Sequence, residues 1–123
     1  MSNQALADLI AFLDKAAATV RRVEAEGEAA LKSEGQAAYV EKMREKANYL
    51  LGLAEQGRVL TEAIGGEEGK AIHARLRKFS ASAKASLGFD SVFFMSALLY
   101  PEDYKPGDPN DLELFVQSLR EKV

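Results

Sequence analysis

Residues 3–32 read NQALADLIAFLDKAAATVRRVEAEGEAALK, with apolar side chains at Leu6, Leu9, Ile10, Leu13, Ala16, Ala17, Val20, Val23, Ala30 and Leu31. Steps of three and four residues, sustained over more than three heptads, describe one face of a long amphipathic helix. Asn3 is a natural N-cap for it. Gly27 falls on the seam and could end the helix. Ending there would place Glu24 and Glu26 at the negative pole of the helix dipole, which is unfavourable. The seam also runs on in phase to Leu31. The helix is therefore expected to reach about Lys32, with Ser33-Glu34-Gly35 as the turn and Gly35 as the C′ residue.

A second seam follows at Tyr39, Val40, Met43, Ala47, Leu50, Leu51, Ala54, Gly57, Leu60, Thr61 and Ile64. It predicts one helix over about 36–63. Two helices of similar length joined by a short turn form an antiparallel hairpin. Gly27 then lies opposite Met43. Gly52 and Gly57 each cost about 1 kcal/mol relative to alanine inside a helix. Close packing or a kink at Gly57 should offset that cost.

Gly65-Gly66 closes the second helix. Glu67 and Glu68 suit the positive end of a third, which the spacing of Ile72, Leu76, Phe79, Ala83 and Leu87 carries to about Leu87. Gly88 is its expected C′ stop. Asp90 or Ser91 should cap a short apolar helix that ends at Tyr100, before Pro101. Residues 101–109 read as a loop. Asp108 is the expected N-cap of the last helix, with Pro109 at its first position.

The expected fold is all-α. It is an up-down bundle of four or five helices in one domain spanning 1–123, with a long N-terminal hairpin and three shorter C-terminal helices. Composition agrees: alanine occurs 20 times, and Val, Ile and Thr together only 12 times. The 123 residues carry 16 basic and 19 acidic side chains, a net charge of −3. That balance gives no global attraction to nucleic acid. The absence of cysteine excludes disulfides, thiolate nucleophiles and Cys-based metal sites, and fits a cytoplasmic location. The first residues lack the basic and apolar regions of a signal peptide.

The chain offers little catalytic chemistry. His73 is the only histidine, and it reads as a helix-surface residue without an orienting partner. No His-Glu-x-x-His or Glu-x-x-His spacing is present. Glu24, Glu26, Glu28, Glu41 and Glu45 have basic neighbours and read as a solvated, ion-paired surface; Glu24 alone lies near the seam. The acids of 103–113 lack the order of a calcium loop, and capping explains Asp108 and Asp111. Gly65-Gly66-Glu67-Glu68-Gly69-Lys70 follows a helix rather than a strand and lacks the order of a phosphate loop. No cofactor or metal is expected, and the protein is expected not to be an enzyme.

Two segments stand out as binding surfaces. Ser91–Tyr100 is uncharged and apolar on every side. It belongs in a core or against a partner. Its partner face is expected at Phe93, Phe94, Leu98 and Tyr100, and the partner is another protein or a second copy in a homodimer. The second segment lies between Gly69 and Phe89, with Lys70, Arg75, Arg77, Lys78 and Lys84 and no acid. Its anion-binding candidates are Lys70, Arg77, Lys78 and Lys84. The competing expectation is internal: residues 101–123 hold six acids and three bases and could lie against this helix. Nucleic acid is the least favoured partner, since no aromatic residues interleave with the cations. The leading expectation is a small helical adaptor or chaperone-like module that self-associates. Anion or nucleic-acid binding, and an apolar ligand between the helices with Tyr39, Tyr49 or Tyr100 as polar handles, are the alternatives.

Overall fold

A computed structural model describes residues 3–123 and shows seven helices: α1 (Asn3–Glu34), α2 (Gln36–Leu51), α3 (Leu53–Gln56), α4 (Arg58–Ile64), α5 (Gly66–Gly88), α6 (Val92–Ala97) and α7 (Asp111–Arg120). The fold is the expected all-α bundle built on a long N-terminal hairpin. The expected capping role of Asn3 falls on a side chain outside the description. No described helix is long and apolar enough to cross a membrane.

Most of the seam read from the sequence is buried, but Leu31 and Leu51, expected on it, are exposed. Leu9, Leu13, Ala16 and Val20 of α1 meet Met43, Ala47 and Leu50 of α2, then Ile72, Leu76, Phe79 and Ala83 of α5. Leu112, Val116 and Leu119 of α7 close the same cluster. Gly27 does face Met43: a Cβ there would lie 2.9 Å from Met43 Cε. The turn at Gly35 has φ 99°, which favours glycine.

The second helix is not continuous over 36–63; it divides at Gly52 and Gly57. Ser80 of α5 supplies the cause at the first break. Its hydroxyl donates to the Leu50 carbonyl at 3.0 Å and accepts from the Ala54 N–H at 3.2 Å. An unbroken helix would pair those two groups with each other, so the hydroxyl is a wedge in the ladder. Gly57, where the i→i−4 bonds on either side persist, is a point of close packing. A Cβ would lie 3.0 Å from Leu76 Cδ1 and 3.2 Å from Phe12 Cε2.

Three other boundaries differ from expectation. Helix α5 runs through Gly88, and Asp90 takes the left-handed conformation instead, with φ 51°. The Ser91 N–H reaches Ser86 O and the Asp90 N–H reaches Leu87 O, the paired bonds of a Schellman stop. An ion pair with Arg44 holds the Asp90 side chain. Helix α6 begins at the expected Ser91 cap, whose side chain accepts from the Phe94 N–H, but it ends at Ala97 rather than Tyr100. Leu99 then has φ 77°. The cap of α7 is Asn110, not Asp108. Asn110 accepts from the Glu113 N–H while Glu113 accepts from the Asn110 N–H, a complete capping box.

Glycine at 69 lets α4 and α5 approach closely, since a Cβ there would sit 2.5 Å from the Thr61 carbonyl oxygen. Gly69→Ala should therefore destabilise the protein by about 1–3 kcal/mol. Gly88→Ala has open space and should stabilise by about 0.4–1 kcal/mol. Urea denaturation of the two variants beside wild type measures both; equal midpoints would refute the packing account.

Candidate functional site

The apolar segment 91–100 divides between core and surface. Met95, Leu98 and Leu99 are buried in the main cluster. Phe93 and Phe94 point outward, 70% and 51% exposed. Phe89, at the end of α5, is 74% exposed. Its ring lies 6.3 Å from that of Phe94, which in turn lies 5.5 Å from Phe93. Three rings thus share one corner of the bundle. A groove of about 410 Å³ runs beside them, walled by Ser82, Ala85, Phe89, Phe94, Leu98 and Tyr100.

Leu98 is therefore a core residue with only an edge on the groove, which corrects its expected place on the contact face. Helix α6 ends before it, and the turn through Leu99 directs Leu98 inward. Phe89 was missed by the sequence reading. It follows a glycine taken as a helix stop, and only continuation of α5 through Gly88 brings it beside Phe94.

Tyr100 is half-buried and serves a polar centre rather than the aromatic corner. Its hydroxyl donates to Glu24 Oε1 at 2.6 Å and accepts from Arg21 Nη1 at 3.1 Å. Lys46 of α2 is fully buried. Its ammonium lies 2.9 Å from Glu24 Oε2, donates to the Ser96 carbonyl at 3.0 Å, and stands over the Tyr100 ring at 5.0 Å. Arg21 grips both carboxylate oxygens of Glu113, at 2.7 and 3.1 Å, and donates to Tyr104 and to the Asp108 carbonyl. Tyr104 packs edge-on against Tyr100. Glu24, the one acid close to the seam, is thus the α1 anchor of this centre.

The electrostatics follow from geometry. Burial pushes the Lys46 ammonium below the ordinary lysine range, against the upward pull of Glu24. Burial, reinforced by Glu24, raises the Tyr100 hydroxyl, so the phenol stays protonated at neutral pH. The Arg21 guanidinium holds the Glu113 carboxyl below its ordinary 4.5. A cavity of about 220 Å³ between Glu24, Glu28, Tyr39, Met43, Ser96 and Tyr100 adjoins this centre. It has two of the three tyrosines expected as polar handles in its wall; Tyr49 packs against the main core instead.

The basic residues of α5 also divide. Arg75 lies over the rings of Phe79 and Phe115, 5.3 Å from each centroid. Lys78 shares a shallow groove with Arg75, Ser82 and Asp111. Lys70 and Arg77 line a different cavity, between α4 and α5, together with His73 and Arg58. Lys84 is exposed and lines neither. Of the C-terminal acids, Asp111 lies beside Arg75 and Lys78 in the shallow groove, but among the described residues none forms an ion pair with this helix. Helix α7 packs mainly on α1, where Arg21 takes Glu113 and Asp14 takes Arg120. One weak pair, Lys122 with Glu68 at 3.7 Å, reaches α5 from the C-terminus. Arg77, Lys78 and Lys84 have no carboxylate within ion-pair distance among the described residues.

Among the described residues, no group of three or more His, Cys, Asp or Glu side chains could hold a metal ion. No protein-family model, curated protein or solved structure matches the chain.

Two predictions test the polar centre. Lys46→Met should cost about 3 kcal/mol, because it leaves the mostly buried Glu24 carboxylate without its cation. Adding Glu24→Gln should recover much of that loss, and a chemical-denaturation cycle measures the coupling. Glu113→Gln should cost about 1–2 kcal/mol at pH 7, the value of hydrogen bonds to a charged group discounted for partial exposure. The folded-state pKa of Glu113 is depressed, so its contribution is complete above about 4.5 and is lost as pH falls through the folded value. The gap between wild type and Glu113→Gln should close over that acid window; a gap that stays constant with pH would contradict the ion pair.

Proposed function

We propose that the protein is a non-enzymatic protein-interaction module that works in the cytoplasm and self-associates through its aromatic corner. The observation that carries this reading is the cluster of exposed Phe89, Phe93 and Phe94 rings on a folded frame. Large aromatic side chains gain free energy by leaving water, and three adjacent ones are not needed to complete a core already filled by Met95, Leu98 and Leu99.

Area sets the scale. At about 200 Å² for each phenylalanine, the exposed fractions amount to roughly 400 Å² of aromatic surface per copy. A standard interface buries about 800 Å² on each partner. The corner thus supplies the apolar centre of such an interface, and the adjoining groove and α5 flank supply its rim. A two-fold axis can lay the patch on its own copy without a complementary pocket.

Phe93→Asp is the cleanest variant, because Phe93 is mostly exposed and outside the core cluster. Sedimentation velocity should show wild type as a dimer at high micromolar concentration and the variant as a monomer. Thermal denaturation of the variant monomer should remain cooperative. A wild type that stays monomeric throughout would end the self-association reading.

A further inference from the structure

We infer that the groove between α4 and α5 is a binding site for a small phosphorylated molecule. It has a volume of about 550 Å³, within the range of small-ligand sites. Arg58 enters from the first turn of α4, and Lys70 and Arg77 from α5, one heptad apart. His73, the only histidine in the chain, lies between them on the same wall. Its Nδ1 is buried and has no hydrogen-bond partner in the protein.

The cations are available to a ligand. Arg77 has no ion pair among the described residues. Lys70 reaches only Glu67, at 3.8 Å, and that carboxylate is almost fully solvated. Arg58 holds Glu55 at 2.9 Å through one guanidinium nitrogen, and both side chains are more than half exposed. Such surface pairs are worth little and exchange readily. A phosphate offers three acceptor oxygens to this set, and bidentate guanidinium contacts match its geometry.

This is not the phosphate loop that Gly65 to Lys70 superficially suggests. Glu67 and Glu68 occupy the first turn of α5 but do not line the groove. The anion is recognised by side chains along the first three turns of α5 and by Arg58 across from them. Glu62 is the one carboxylate in the lining. Its like charge opposes any anion, so the three cations must outweigh it, and it can accept a hydrogen bond from a ligand hydroxyl. No aromatic ring other than His73 lines the groove, so nucleic-acid bases have little to stack on. A compact phosphate compound therefore fits better than a polynucleotide.

Isothermal titration with inorganic pyrophosphate at low ionic strength tests the site, with a single-stranded oligonucleotide as the second arm. Pyrophosphate should bind at one site per chain, and binding should weaken as salt rises. Arg77→Ala should lower the affinity at least tenfold. Lys78→Ala removes the same charge from the same helix outside the groove and should change affinity less than twofold. Circular dichroism of each variant verifies that the fold is retained. Absence of pyrophosphate binding to folded wild type would overturn the inference. Equal losses in the two variants, or tighter binding of the oligonucleotide with both variants impaired alike, would also overturn it by pointing to a diffuse basic face.

Discussion

A lysine ammonium with no access to water constrains the arrangement of this bundle. Leaving Lys46 unpaired would cost several kcal/mol, so two other elements must come to it. Glu24 of α1 provides the counter-charge, and the end of α6 provides the Ser96 carbonyl. Tyr100 then bridges from Glu24 to Arg21, and Arg21 fastens the loop before α7 through Tyr104, Asp108 and Glu113. Glu113 also completes the capping box that starts α7. One chain of charge-assisted bonds thus fixes the hairpin register, the site of α6 and the docking of α7. The apolar seams alone are rich in alanine and would specify these less sharply.

That arrangement explains why the aromatic corner can be exposed at all. Helix α6 is held from beneath by Met95 and by its Ser91 cap, and it is followed by the buried Leu98 and Leu99. The frame needs nothing from Phe93 or from most of Phe94. The groove at the other end of α5 draws Lys70 and Arg77 from a helix anchored by Ile72, Leu76 and Phe79, and Arg58 from α4 across the close contact at Gly69.

The long-range architecture was legible because it rests on periodicity. The α1 seam, its continuation through Gly27 and the pairing of Gly27 with Met43 all follow from spacing and dipole arguments. The limits of legibility have equally specific causes. Helix α6 has only six residues, too few for a period to show which of Phe93, Phe94 and Leu98 faces in. The chain carries Asp108, Pro109 and Asn110 in succession, and the choice of cap is settled by Glu113 three residues beyond Asn110, a capping-box spacing that the sequence did contain. Tyr100 and Arg21 are 79 residues apart and Arg21 and Glu113 are 92 apart. No local pattern joins them. The basic helix was visible as a run of charge, but its division into a groove-lining pair, a ring-stacked arginine and outlying lysines depends on where α4 and α7 come to rest.

The Ser80 wedge gives α2 through α4 two ways to satisfy the same backbone groups. Before α5 docks, Leu50 and Ala54 can bond to each other and the segment can run straight. With α5 in place, the hydroxyl takes both partners and the helix is interrupted at Gly52. The interruption at Gly52 is thus coupled to a contact made by a helix from later in the chain, and the Ala54 amide is held by a side chain rather than by its own helix.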